Sequence, residues 1–392
     1  MNDGTPTILY TSADPDTHGG AFRWLVQMAT EIGDRGFGSV LALSRGTGSA
    51  GAGTRIPTHL LSLPRPRRGR APLQYAGDVV QTIRSARALA RIIRREGVAL
   101  VHANEILDVY AGLAARLTGV PCVWHVRADI SSWPAPLRRT LPRVAAGLAS
   151  RVVVVSGSVR QHVFIEQGVP TRKVSVIHDA GPDPRAFHPG VDGASVRAEL
   201  GVPADGSLVV LVSKLVEPKG HEVLVRAVPR VLGSFPGTRF LIVGGEMEGE
   251  HHRRYAERLR RLPAQLGVAE AVTFAGYRDD VPQVMAAADL IAHCSTHPDP
   301  FPGVVLQGMA LGRPVIATDL GGATEQIEDG LSGVLVPPGD PLALGEAIDS
   351  LLKDPDRRAS LGAAAVRRVR ERFTAEAFYR DLSGLYRGLT GS

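Results

Sequence analysis

Residues 299–314 read DPFPGVVLQGMALGRP. Asp299 and Gln307 stand across the expected start of a helix. Pro302 is tolerated in a first turn, Gly303 follows, and the apolar run after it puts Gln307 on the second turn. Helical side chains lean toward the N-terminus, so the Gln307 amide reaches back toward the acid. With the free N–H groups of Gly303 and Val304, the two polar groups would surround one small volume. Amides at a helix start receive an anion, and a carboxylate and an amide receive hydroxyls. A sugar phosphate carries both.

Three other stretches place chemistry-bearing residues after a strand. In SKLVEPKG (213–220), Lys214 and Lys219 flank a short loop closed by Gly220. Two ammonium groups at a strand end neutralise a diphosphate, and the pairing is notable in a chain with so few lysines. In THGGAFRW (17–24), Gly19 and Gly20 let backbone approach a ligand ahead of a helix start. A second glycine pair, Gly321 and Gly322, precedes Glu325. His251, His252, His293 and His297 have no carboxylates at ligand spacing and read as surface or loop histidines, so no metal or other cofactor is expected.

These residues need a scaffold, and the chain supplies it by alternation. Strand-like runs lie at 7–12, 39–44, 99–104, 122–126, 151–156 and 174–178, then at 208–213, 239–245, 271–276, 290–295, 314–319 and 333–337. Several are unbroken Val/Ile/Leu runs, as in strands buried on both faces of a parallel sheet. Helical patterns separate them, which predicts two doubly wound α/β domains with ligands outside the C-terminal strand ends. A Pro-, Gly- and Asp-rich stretch at 178–195 marks the boundary. The expected division is 1–183, 184–371 and a final helical segment, 372–392.

Composition narrows the class. The 392 residues are 44% apolar, enough for two cores, and no apolar run reaches eighteen residues. The start has neither a basic stretch nor a long apolar one, so no secretory leader is expected. Two cysteines, Cys122 and Cys294, in apolar contexts read as reduced core thiols of a cytoplasmic protein. The net charge of +6 is uneven: residues 1–180 carry 22 Lys and Arg against 12 Asp and Glu, and the remainder is net acidic. Much of the excess lies in RPRRGR (65–70) and in Arg84, Arg87, Arg91, Arg94 and Arg95 at helical spacing. Val79, Ile83, Ala86, Ala90 and Ile93 form an apolar stripe on another face. The arginines suit a solvated helix face or contact with an anionic membrane surface at the inner membrane face. Nucleic acid is not expected, since aromatics are not interleaved with the charge.

Taken together, these stretches resemble the retaining glycosyltransferases of sequence family four. The family signature E-x-F-G-x-x-x-x-E-A-M-A-x-G-x-P is similar to Asp299 through Pro314, with Asp299 and Gln307 at the two Glu positions and Pro302 where Gly is usual. SKLVEPKG resembles G-R-L-x-x-x-K-G, with Lys214 at the Arg position. FAGYRDDVPQ is similar to the segment that cradles the base through Gly276 and Tyr277. GGATEQIEDGLSG places Glu325 in register, and VWHVRADI puts His125 where the family carries an active-site histidine.

The resemblance implies a GT-B fold, two facing Rossmann-like domains around an interdomain cleft, with the last helix crossing back to the first domain. It implies an enzyme that moves a sugar from a UDP- or GDP-linked donor to an acceptor; the Arg-, Ala-, Gly- and Val-rich composition suits a GC-rich bacterium, and with it a small-molecule or envelope glycolipid acceptor. His125, Lys214, Lys219 and Asp299 would serve catalysis. Gly19, Gly20, Gly276, Tyr277, Phe301, Gly303, Val304, Gln307 and Glu325 would bind the donor. Asn104, Glu105, Arg127 and Asp129, at strand ends of the first domain, would meet the acceptor. Lysines and helix amides would stabilise the departing diphosphate, which itself takes the acceptor proton. Gln307 lacks the charge of Glu, which costs about 1 kcal/mol of donor binding. A silent nucleotide-sugar-binding module and a sugar-nucleotide epimerase are the alternatives. A dehydrogenase is discounted, because THGGAF replaces the G-x-G-x-x-G it needs after the first strand.

Overall fold

The computed structural model describes residues 5–13, 20–45, 55–64, 72–131, 133–203 and 205–391. Gly19 and the basic stretch 65–70 lie outside the described residues. The chain divides into two compact units, residues 1–178 with 378–392, and residues 179–377.

Among the described residues, the first unit is built on seven parallel strands: β1 (Thr7–Ser12), β2 (Gly38–Ser44), β3 (Thr58–Leu61), β4 (Val98–Ala103), β5 (Cys122–Val126), β6 (Arg151–Val154) and β7 (Val174–Val176), in the order β3-β2-β1-β4-β5-β6-β7. The second has six: β8 (Leu208–Val212), β9 (Arg239–Val243), β10 (Val272–Gly276), β11 (Leu290–His293), β12 (Val315–Thr318) and β13 (Val334–Val336), in the order β10-β9-β8-β11-β12-β13. Both orders reverse beside the first strand of the unit. β1 has β2 on one side and β4 on the other, and β8 has β9 and β11. Crossovers diverge at such points and leave a crevice at the strand C-termini. Both units are thus Rossmann-like.

The apolar runs explain the sheets. Val209, Val210, Phe240, Leu241, Leu290 and Ile291 are buried, as two-sided cover by helices requires. Cys122, on β5, and Cys294, just past β11, are free and buried, and burial pushes each thiol up to about 12. No helix among the described residues is long and apolar enough to cross a membrane.

Two expectations are corrected. Residues 58–61 form an edge strand that the alternation did not mark. The apolar stripe of the helix Pro72–Arg95 is only partly covered: Ala86, Ala90 and Ile93 are buried, but Val79 is 60% and Ile83 42% exposed. The N-terminal half of this helix runs out beyond the core that buries its C-terminal half.

Candidate functional site

In the second unit the expected residues meet at the β8/β11 crevice. β8 ends at Val212, Lys214 follows, and a single 3₁₀ turn over Glu217–Lys219 brings Lys219 round. Gly220 closes the turn at φ +67°, and a Cβ there would stand 1.8 Å from the Cys294 carbonyl oxygen. Only glycine meets both conditions. The lysine loop therefore lies flush on the segment leaving β11.

That segment carries Asp299, whose carboxylate forms an ion pair with Lys219. The second glycine pair supports it from behind. The Gly322 N–H donates to the Asp299 carbonyl at 2.8 Å. A Cβ on Gly321 would stand 2.4 Å from that carbonyl, and one on Gly322 would stand 2.2 Å from the Pro300 oxygen. Phe301 is buried edge-on against Phe373 at 5.7 Å, and the helix Gly303–Ala310 begins two residues later.

A cavity of about 310 Å³ opens here, and Lys214, Lys219, Asp299, Phe301, Gly303 and Val304 are among its lining residues. It is cationic at one wall and presents helix-start backbone at another. The arrangement can hold an anion beside a group that accepts from hydroxyls. Burial works against ionisation of Asp299. The His293 hydrogen bond and the Lys219 ammonium nevertheless hold its carboxyl well below the usual carboxylate range.

His293 corrects the sequence reading. It is no loop histidine: it is the last residue of β11, 5% exposed, with Nε2 3.3 Å from Asp299 Oδ2 and 3.1 Å from Ser295 Oγ. Its one signal in the sequence was its place at the end of an unbroken apolar run. His297, His251 and His252 do lie at the surface or half-buried, outside the cavity lining.

Other expected residues fall nearby without lining this cavity. Gln307 sits one turn beyond Gly303, half-buried, its amide without a partner among the described residues. Gly276 ends β10 at φ +66° and its carbonyl accepts from Gly244 N at 2.8 Å, while Tyr277 is 69% exposed. Glu325 lies on the short helix Ala323–Gln326, its carbonyl held by Arg368 at 3.0 Å.

The first unit gathers a second polar group at the C-terminal ends of β4 and β5. His125, on β5, is fully buried with both ring nitrogens unpartnered among the described residues. Burial, then the charge of Arg127 and the neighbouring His102, holds its imidazole well below the usual value, so it is neutral. Asn104 Oδ1 and Asp129 Oδ2 are also buried without partners among the described residues. Arg127 stacks over Trp24 at 5.1 Å, and the Glu105 carbonyl accepts from Trp124 Nε1 at 2.7 Å. Buried polar atoms are normally satisfied, so this group has hydrogen-bonding capacity to offer a hydroxylated ligand. Gly20 opens the helix Gly20–Glu31 in the same unit.

Sequence reasoning missed the support beneath this group. Asp108 accepts from Thr11 Oγ1 at 2.8 Å, Tyr110 OH at 2.7 Å and Asn104 N at 3.2 Å. Burial, partly offset by these bonds, pushes its carboxyl up to about 6. Tyr386, on the last helix Ala375–Thr390, lies 2.6 Å from His102 Nδ1. Burial and Arg127 push His102 down to about 3.

Both halves have known relatives. The family described as Glycosyltransferase Family 4 matches residues 18–180, and Glycosyl transferases group 1 matches residues 206–354. The D-inositol 3-phosphate glycosyltransferase of Acidothermus cellulolyticus is 33% identical over 74% of this chain and 66% of its own length. The enzyme of the same name from Stackebrandtia nassauensis is 31% identical over 73% and 67%. The matches thus span about two thirds of those relatives. The crystal structure of Anabaena HepE with UDP-glucose superposes with a TM-score of 0.80 at 27% identity, covering 98% of this chain and all of that one. Two Rossmann-like units, each matched by a glycosyltransferase family of its own, place this chain in the GT-B class, and it belongs to the family-four glycosyltransferases.

Proposed function

We propose that the chain is a retaining glycosyltransferase that moves a sugar from a nucleoside diphosphate sugar to an acceptor, with UDP favoured over GDP as the carrier. The observation that carries this reading is the cavity at the β8/β11 crevice, where two lysines, one ionised acid and a helix start share one small space. The crystal of HepE with UDP-glucose supports the choice of carrier.

Breaking the anomeric bond leaves negative charge on a diphosphate. Lys214, Lys219 and the first amides of the Gly303–Ala310 helix supply charge and dipole aimed at it before the reaction starts, so little reorganisation is needed. Asp299 accepts from a sugar hydroxyl, and Gln307 donates to or accepts from the ribose. Gly276 and Tyr277 take the base. No protein nucleophile, metal or other cofactor is called for in this scheme.

Incubation with UDP-glucose and GDP-mannose, with and without acceptor extract, tests it. Acceptor-dependent release of nucleoside diphosphate is expected. Stabilisation against unfolding without release would support a silent binding module, and acceptor-independent conversion of the sugar would support an epimerase.

One observation favours an anionic acceptor. The helix Pro72–Arg95 exposes Val79, Val80 and Ile83, and beside them Arg84, Arg87 and Arg91, which make no ion pair among the described residues. An apolar patch edged with arginine suits a phosphate-bearing glycolipid surface. The relatives' named acceptor, a polyol phosphate, is anionic too. Co-sedimentation with vesicles containing 30% anionic lipid, against neutral vesicles, separates a lipid-borne acceptor from a soluble one.

A further inference from the structure

The Asp299 carboxylate holds both of its partners on one oxygen. The Lys219 ammonium and His293 Nε2 both meet Oδ2, and Oδ1 has no partner among the described residues. An ionised carboxylate only accepts, so His293 donates from Nε2. Ser295 Oγ lies 3.1 Å from the same nitrogen, and Nδ1 is buried and unpartnered.

The torsion that turns a carboxylate about its own axis is soft and nearly two-fold. Something must choose which oxygen faces the cavity. Lys219 cannot choose alone, because an ammonium on a four-carbon stem follows its partner. His293 can: its ring is planar, buried, and fixed to the last residue of β11, which pairs with β8 and β12 at the centre of the sheet. Groups on a strand are held more tightly than groups on a loop.

We infer that His293 is a positioning residue for Asp299, turning Oδ2 to Lys219 and leaving Oδ1 to receive a donor-sugar hydroxyl. The inference rests on the donor-site reading above.

The test compares His293→Leu with His293→Gln, whose amide nitrogen reaches to about where Nε2 stands. UDP alone lacks the donor sugar, so His293→Leu is expected to bind it within about two-fold of the unmodified chain. Its kcat/KM for the nucleotide sugar is expected to fall by about 10- to 100-fold, the factor a charge-assisted hydrogen bond supplies. His293→Gln is expected to recover most of that loss. UDP affinity and turnover falling in parallel would make His293 merely structural and overturn the inference, as would unchanged turnover in His293→Leu.

Should His293→Leu not fold, His293→Asn, whose shorter amide falls short of Asp299, replaces it: its loss of kcat/KM is expected to vanish in an Asp299→Asn background, and an additive loss overturns the inference. Carbon-13 titration of the Asp299 carboxyl needs no activity. Its midpoint is expected to rise in His293→Leu and return in His293→Gln, and an unmoved midpoint refutes the contact. A chain that consumes no nucleotide sugar while that midpoint does move would sink the functional reading and leave the contact standing.

Discussion

Gly322→Ala isolates the support behind Asp299. Gly322 has φ −70° and ψ −16°, ordinary for any residue, so alanine brings no backbone strain. In open space the change would stabilise by about 0.4–1 kcal/mol through the unfolded chain. Here the new Cβ would stand 2.2 Å from the Pro300 oxygen and 2.8 Å from Phe301 Cα. A relaxed carbon–oxygen contact is about 3.3 Å, so the two segments must part by about 1 Å. That stretches the Gly322 N–H to Asp299 carbonyl bond beyond use, at about 0.5–1.5 kcal/mol, on top of an overpacking cost of about 1–3 kcal/mol.

The net loss should be about 1–3 kcal/mol, seen as a fall of several degrees in melting temperature. The larger effect is catalytic. Asp299 moves with its loop, and a displacement of about 1 Å at a reacting centre costs on the order of 10²-fold. Nucleoside diphosphate release from UDP-glucose reads kcat/KM. Gly233→Ala is the control: it lies in the helix His221–Ser234 with nothing within 4 Å of a new Cβ, and full activity with a small gain in stability is expected. Gly322→Ala within about three-fold of the unmodified kcat/KM would refute the reasoning, because the glycine pair would then not govern the position of the acid.

Lys219→Ala should lower turnover by at least about 100-fold and raise the Asp299 carboxyl pKa, since it removes both the charge on the departing diphosphate and a partner of a buried carboxylate; full activity would displace the phosphate site. Gln307→Glu should bind UDP as well or up to about five-fold better by calorimetry, from about 1 kcal/mol of charge assistance; loss of nucleotide binding would remove Gln307 from the ribose. His221 meets Ser213 Oγ at 2.9 Å, and burial pushes its imidazole down to about 4. As pH falls from about 6.5 toward 4 the unfolded chain binds a proton that the folded chain does not, so stability is lost at up to about 1.4 kcal/mol per pH unit. Melts at pH 7, 6 and 5 should show that slope reduced in His221→Gln, and an unchanged slope would mean the ring is already charged.

Most of the twelve expected strands were legible because a strand buried on both faces leaves an unbroken apolar run. β3 was not: Thr58, His59, Leu60 and Leu61 form a four-residue edge strand, too short and too mixed to show a period. The same contrast divides the site. Lys219, Gly220, Asp299 and Gly303 could be read because each owes its place to its own loop or helix start. His293 owes its role to a partner on that loop: the apolar run before it marks a strand end but not the acid it meets. Val79 and Ile83 failed the opposite way: helical spacing gives a stripe but not how much of it the core covers. Tyr386 and His102 meet across 284 positions, a separation no local pattern spans.

The two thiols have a practical consequence. With each pushed up to about 12 and sealed in a sheet core, only about one molecule in 10⁴ would carry a thiolate at pH 8. Maleimide dyes and spin labels should pass both by, so Tyr277→Cys at that exposed position would take a probe alone, with both native cysteines kept, and report ligand arrival at that loop.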